Sequence, residues 1–226
     1  MRLSPASFVA LTLALLACGL VGGLSLLHAQ TAPSPQMTFF ITSAGVGQGA
    51  NLGGLRGADR HCEVLAARAG SSFDKEWRAY LSAQSRPQIQ AVHARNRIGV
   101  GPWYNARGVV IAKSVDDLHS DANNLTKETQ LTETGQMVNG RGDTPNMHDI
   151  LTGSDLNGRA VDGDTDTTCD NWTSEGAGSA LMGHHDRQGG GDDPTSWNSA
   201  HPSKGCSQAN LQATGGDGLF YCFARN

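Results

Sequence analysis

The sequence predicts an α+β domain with one main helix, short strands and long loops, braced by cysteines and placed outside the cytoplasm. Three observations carry that reading. The stretch 57–69 repeats apolar residues at the clearest helical spacing. Short β-rich runs alternate with polar, Gly-rich segments, in a chain of 226 residues with 29 glycines and 38% hydrophobic residues. Cys169, Cys206 and Cys222 punctuate the C-terminal third, where apolar pieces are too short to hold together unaided.

The N-terminus reads as an export signal. Arg2 is the positive start, 8–27 is an apolar run broken by small residues, and Ala29 places a small residue before the cut. The apolar run is about long enough to act as a membrane anchor instead; its glycines and early position favour cleavage. Leu15-Leu16-Ala17-Cys18 also resembles a lipoprotein box, which would anchor the chain to the cell envelope through Cys18. The division is therefore 1–29 signal, 30–36 flexible leader with two prolines, and 37–226 a single domain. The expected product is a secreted or periplasmic monomer with no membrane insertion after signal cleavage. Losing the signal removes one Arg and no acid, so the mature chain is more acidic than the formal −4 of the whole. That argues against nucleic acid and anionic membrane as partners.

With the signal gone, Cys62, Cys169, Cys206 and Cys222 remain. An even number in an exported chain points to two disulfides, with three pairings open. Zinc ligation by the four cysteines is the rival, and no Cys-x-x-Cys pair supports it.

In chain order, 37–42 is β-rich and forms the first strand. The glycines of 43–54 make a loop, and it lacks the Gly-Lys-Ser/Thr ending of a phosphate cradle. In 57–69, Ala58, Cys62, Leu65, Ala66 and Ala69 build one apolar helix face, stopped by Gly70. The run 76–82 alternates, with Trp77, Ala79 and Leu81 on one side and Glu76, Arg78 and Tyr80 on the other, as in a half-buried strand. Residues 102–104 read as a buried turn and 109–112 as a short strand. Ser114, followed three residues on by Asp117, opens a short helix through Leu118. The polar stretch 119–149 reads as an exposed, irregular excursion, and order resumes at Leu151-Thr152-Gly153. The nearly all-apolar 219–224 is a final, central strand.

Several groups could carry chemistry. His184-His185-Asp186 with His201 suits zinc, although adjacent histidines in a strand point to opposite faces, so both can ligate only from a loop. A polar surface loop is the alternative. Asp162, Asp164 and Asp166, with Asp170 beyond, resemble a calcium loop. No Gly follows Asp166, however, and Thr173 stands where the bidentate acid belongs, so a capped, solvated turn competes. Trp197, in a polar loop, is the aromatic platform for a ligand, beside His184, His185 and Asp186. Trp172 and Tyr221 adjoin cysteines and read as core. Arg141-Gly142-Asp143 is an integrin-type tripeptide. There is no Gly-x-Ser-x-Gly elbow and no His-Glu-x-x-His, and the cysteines are committed to bridges, so the chain reads as a non-enzyme.

Four pieces occur together and in order: Gly54-Leu55-Arg56-Gly57-Ala58-Asp59 before the Cys62 helix; Trp77-Arg78-Ala79-Tyr80-Leu81-Ser82; Leu151-Thr152-Gly153-Ser154-Asp155-Leu156-Asn157-Gly158-Arg159; and Cys169, Trp172, Thr173, Glu175 and Cys206 with the Tyr221-Cys222 strand. This set resembles the endostatin domain, the C-terminal part of collagens XV and XVIII, over nearly the whole mature chain. The resemblance implies a fold related to C-type lectins: a twisted mixed sheet, a principal helix, long loops and two nested disulfides. Carried over, these are Cys62–Cys222 and Cys169–Cys206. The family's heparin-binding arginine clusters and N-terminal zinc histidines have no counterpart here, since this chain is acidic and 30–36 holds no histidine. The expected function is that of an exported, non-catalytic, lectin-like module binding a glycan or an extracellular or cell-envelope protein. The alternatives are a zinc-dependent hydrolase on His184, His185 and His201, and a structural envelope lipoprotein.

Overall fold

A computed structural model describes residues 32–71 and 74–225. The expected signal, its Cys18 and the first leader residues lie outside these.

One strand organises the rest. β8 (Gly216–Arg225) pairs antiparallel with β1 (Phe39–Ile41) and β2 (Glu76–Ala79), and parallel with β5 (Asp149–Leu151). From β5 the sheet continues through β6 (Leu181–His184) to β7 (His201–Pro202), both antiparallel to their neighbours. The sheet is thus mixed, with the predicted final strand at its centre. Because β8 is covered on both faces, it reads as a continuous apolar run rather than an alternating one. Its side chains still divide by period two. Phe220, Cys222 and Ala224 face α1 (Gly54–Arg68), and Leu219, Tyr221 and Phe223 face an aromatic second core with Phe39, Tyr80, Trp103 and Trp197.

Helix α1 buries Ala58, Cys62, Leu65 and Ala66, the face its spacing predicts, and starts three residues before the expected boundary. Cys62 is bonded to Cys222 and Cys169 to Cys206. Closing a loop of 160 residues stabilises by roughly 5 kcal/mol on the chain-entropy account. Helix α2 (Val115–Leu118) has the predicted start, with Ser114 Oγ accepting from Asp117 N. The remaining α-helices are α3 (Cys169–Trp172) and α4 (Gln208–Thr214), and Ala94–Asn96 forms a 3-10 turn. Among the described residues no helix is long and apolar enough to cross a membrane.

The single turn of α3 winds left-handed. Cys169, Asp170, Asn171 and Trp172 have φ of 48°, 53°, 54° and 68°, a conformation costing roughly 1–2 kcal/mol per residue. Several contacts hold it. Asp166 Oδ2 accepts from Asp170 N, Asn171 Oδ1 accepts from Gln84 N, Trp172 Nε1 donates to Ser82 O, and the inner disulfide anchors Cys169.

Four expectations need correction. Residues 103–104 are not a turn but β3 (Trp103–Tyr104), paired with β4 (Val110–Ala112). Tyr80 is fully buried rather than on an open side, because the second core covers that face. The stretch 119–149 is irregular but not an exposed excursion: Leu125 and Val138 pack into the second core and Leu131 is fully buried. Its backbone is satisfied by side chains, such as Asn105 Nδ2 donating to Thr129 O and Arg187 Nε donating to Leu125 O. The leader is tied down from Ser34, whose N–H donates to Ala106 O, while Lys75 Nζ donates to Pro35 O.

Candidate functional site

The register of the β5–β6–β7 edge gathers polar residues beneath the surface. Asp149 stands directly opposite His184, and His201 pairs opposite Met182, two residues along β6. His148, the residue before β5, lays its ring on His184 with centroids 4.5 Å apart and planes within 10°. Asp149 and His184 are fully buried, His148 is 7% exposed, and His201 forms the rim at 21%.

Three imidazole Nε2 atoms surround one carboxylate oxygen. Asp149 Oδ1 lies 3.2 Å from His148, 3.3 Å from His184 and 3.5 Å from His201, and the Nε2 atoms of His184 and His201 are 2.9 Å apart. The contacts to Asp149 reach ion-pair range without hydrogen-bond geometry, and both its oxygens are buried with no hydrogen-bond partner. The other ring nitrogens face acceptors. His184 Nδ1 is 2.7 Å from Pro194 O, His201 Nδ1 is 3.1 Å from Pro202 O, and His148 Nδ1 is 3.1 Å from Gln188 O and 3.4 Å from Asp186 Oδ1. A carbonyl oxygen only accepts, so each Nδ1 carries a proton and Nε2 is the ring nitrogen left on the Asp149 side.

Burial disfavours charge on His184, yet Asp149 and the Pro194 carbonyl hold its pKa above the ordinary histidine value. Burial also works against Asp186, but His148 and the N–H groups of Arg141 and Gln188 keep its carboxyl well below the usual carboxylate range. Asp186 is thus a permanent anion that orients His148.

Two glycines make the space. A Cβ on Gly189 would lie 2.1 Å from His184 Cε1, and one on Gly215 would lie 3.0 Å from both Asp149 Oδ2 and His148 Nε2. Gly189 has φ +157° and Gly215 +135°.

The zinc set read from sequence therefore divides. His184 and His201 converge as expected. His185 does not, because it follows β6 and turns to the opposite face, where Nε2 meets Asn139 O at 3.1 Å and burial lowers its pKa. None of these groups forms a surface loop: His184 and His185 are fully buried and Asp186 nearly so. Trp197 is not an open platform either; at 3% exposure it packs against Tyr80 and Tyr221. The calcium-like set also separates. Asp162 and Asp164 are exposed, while Asp166 caps the left-handed turn through Thr168 N and Asp170 N. Asp143 of the Arg-Gly-Asp tripeptide is bonded to Lys127 Nζ and Gly140 N.

Sequence reasoning missed His148 and Asp149. They close a polar stretch that resembles a loop, and the available signal was their position directly before the apolar Ile150-Leu151. The side chains grouped closely enough to hold a metal ion are His148, Asp149 and His184; His201 stands beside His184 and Asp149. No family model and no curated protein matches the chain.

Proposed function

We propose that the chain is an exported, non-catalytic binding module of the endostatin and C-type-lectin type, taking a glycan or an extracellular or cell-envelope protein as ligand. The cysteine pairing carries this reading: the outer bridge ties the main helix to the central strand and the inner one encloses the loop region, the nested order that the resemblance implies. The ligand face moves away from the buried His184, His185 and Trp197 to the neighbouring surface. There a cleft of about 230 Å³ is lined by His119, Asp121, Leu156, Asp193, Thr195 and the edge of Trp197. It combines carboxylates, a hydroxyl and apolar surface, as a polar ligand such as a sugar requires. His119 is held between Tyr80 OH and Val115 O and burial lowers its pKa, so it offers little as an acid or base.

A glycan array, repeated with Asp121→Ala and Thr195→Ala, tests the reading. The expected outcome is binding of at least one glycan class that weakens about tenfold, or 1.4 kcal/mol, in either variant. No bound glycan or envelope protein, together with measurable turnover of any substrate, would sink it. The convergence of His184 and His201 favours a second reading, a zinc-dependent hydrolase. Catalytic zinc keeps an open coordination position, whereas four protein side chains already crowd this point.

A further inference from the structure

We infer that His148, Asp149, His184 and His201 form a closed, four-ligand zinc centre that clamps the β5–β6–β7 edge of the sheet. The inference stands apart from the binding-module reading.

Geometry is the first support. Four ligands held tetrahedrally at 2.0–2.1 Å have edges of about 3.3 Å. Four of the six edges here measure 2.9, 3.2, 3.3 and 3.5 Å. Hydrogen bonding is the second. With the Nδ1 protons directed at acceptors, three Nε2 atoms gather around a buried carboxylate that has no hydrogen-bond partner of its own. Unprotonated, these four atoms repel one another at such distances unless a cation lies between them. A proton bridges two of them; a metal ion satisfies all four.

The donor set and the spacing together favour zinc. Calcium and magnesium take oxygen ligands, imidazole with a carboxylate suits zinc, copper, iron or nickel, and a tetrahedral arrangement is the one zinc adopts. The surroundings are also those of a metal centre. Each ligating ring donates its other N–H to a carbonyl, and His148 also faces the Asp186 carboxylate, the arrangement that fixes tautomer and ring orientation. The absence of side chains at Gly189 and Gly215 leaves room for the rings and the carboxylate. Four protein ligands leave no position for a substrate, so the ion's role is cohesion.

The test uses the untagged, oxidised mature chain, treated with chelator and titrated with Zn(II). Expected are one zinc per chain by elemental analysis and a melting temperature about 10 °C higher with zinc than with chelator. His201→Ala, at the exposed rim, and Asp149→Asn, which keeps the side chain's shape, each weaken zinc binding by at least about 100-fold. His61→Gln, on α1, leaves it unchanged. Cobalt(II) in place of zinc gives the intense visible bands of a tetrahedral site. Equal melting with zinc and chelator, unchanged affinity in both ligand variants, stoichiometric calcium or magnesium, or the weak bands of octahedral cobalt would each overturn the assignment.

Discussion

The two ends of the sheet are closed in opposite ways. Where β1, β2 and α1 meet the C-terminal half of β8, the contacts are apolar and a disulfide runs through the middle. Where β5, β6 and β7 form the other edge, the buried centre is a carboxylate ringed by imidazoles. The first region coheres through its own side chains, because apolar area removed from water is favourable whatever else is present. The second also has apolar contacts, through Ile150, Leu151 and Met182, but buries a carboxylate with no hydrogen-bond partner at its centre. On the zinc inference, that half draws part of its cohesion from a bound ion while the other half needs none.

The sharpest way to break this contrast is to remove the covalent fastening. Replacing Cys62 and Cys222 together with Ser costs roughly 5 kcal/mol in urea unfolding, and the inner pair about 4 kcal/mol, from loops of 160 and 37 residues. Neither change alters the zinc-dependent increment in melting temperature. If the increment vanishes with the outer bridge, the two ends are one cooperative unit and the contrast fails.

The second test works from the polar side. Gly215→Ala places a methyl group about 3 Å from Asp149 and His148 at φ +135°. It lowers stability by roughly 1–3 kcal/mol and weakens zinc binding with both disulfides intact, which a thiol assay verifies. Unchanged zinc affinity in a folded Gly215→Ala protein contradicts the tight cradle.

The smallest effect concerns pH and the aromatic second core. Burial lowers the pKa of His119 from 6.5, so the folded state binds its proton less readily than the unfolded chain. The stability this contributes is fully present above pH 6.5 and is lost as pH falls from there through the folded value. His119→Gln flattens the stability profile in that window, by at most about 1.4 kcal/mol per pH unit, in chelated protein where the histidine cluster is the same in both. An unaltered profile means that His119 is solvated.

The contrast also explains what could be read in advance. The apolar end was legible. Spacing located α1, Ser114 and Asp117 marked α2, and the uninterrupted run 219–224 marked the central strand, because each signal records burial directly. The polar end was not. Histidine and aspartate are mostly exposed residues, so His148 and Asp149 read as the end of a loop, and His184 and His185 as surface. The fold buries them by the pairing of β5 with β6, a long-range register that no local pattern carries. Tyr80 was misplaced for a similar reason. Alternation identifies two faces of a strand but not that both are covered, and the covering residues, Trp103, Trp197 and Phe223, lie far away in sequence.

β8 also governs when the molecule can assemble. β1, α1, β2 and β5 are all synthesised before the strand they pair with, so the sheet stays open until residues 216–225 have emerged. Until then Cys62 has no correct partner, while Cys169 arrives early enough to capture it in a wrong bond. Oxidation before that point would allow Cys62 to bond a wrong thiol, which thiol–disulfide exchange could correct once residues 216–225 are available.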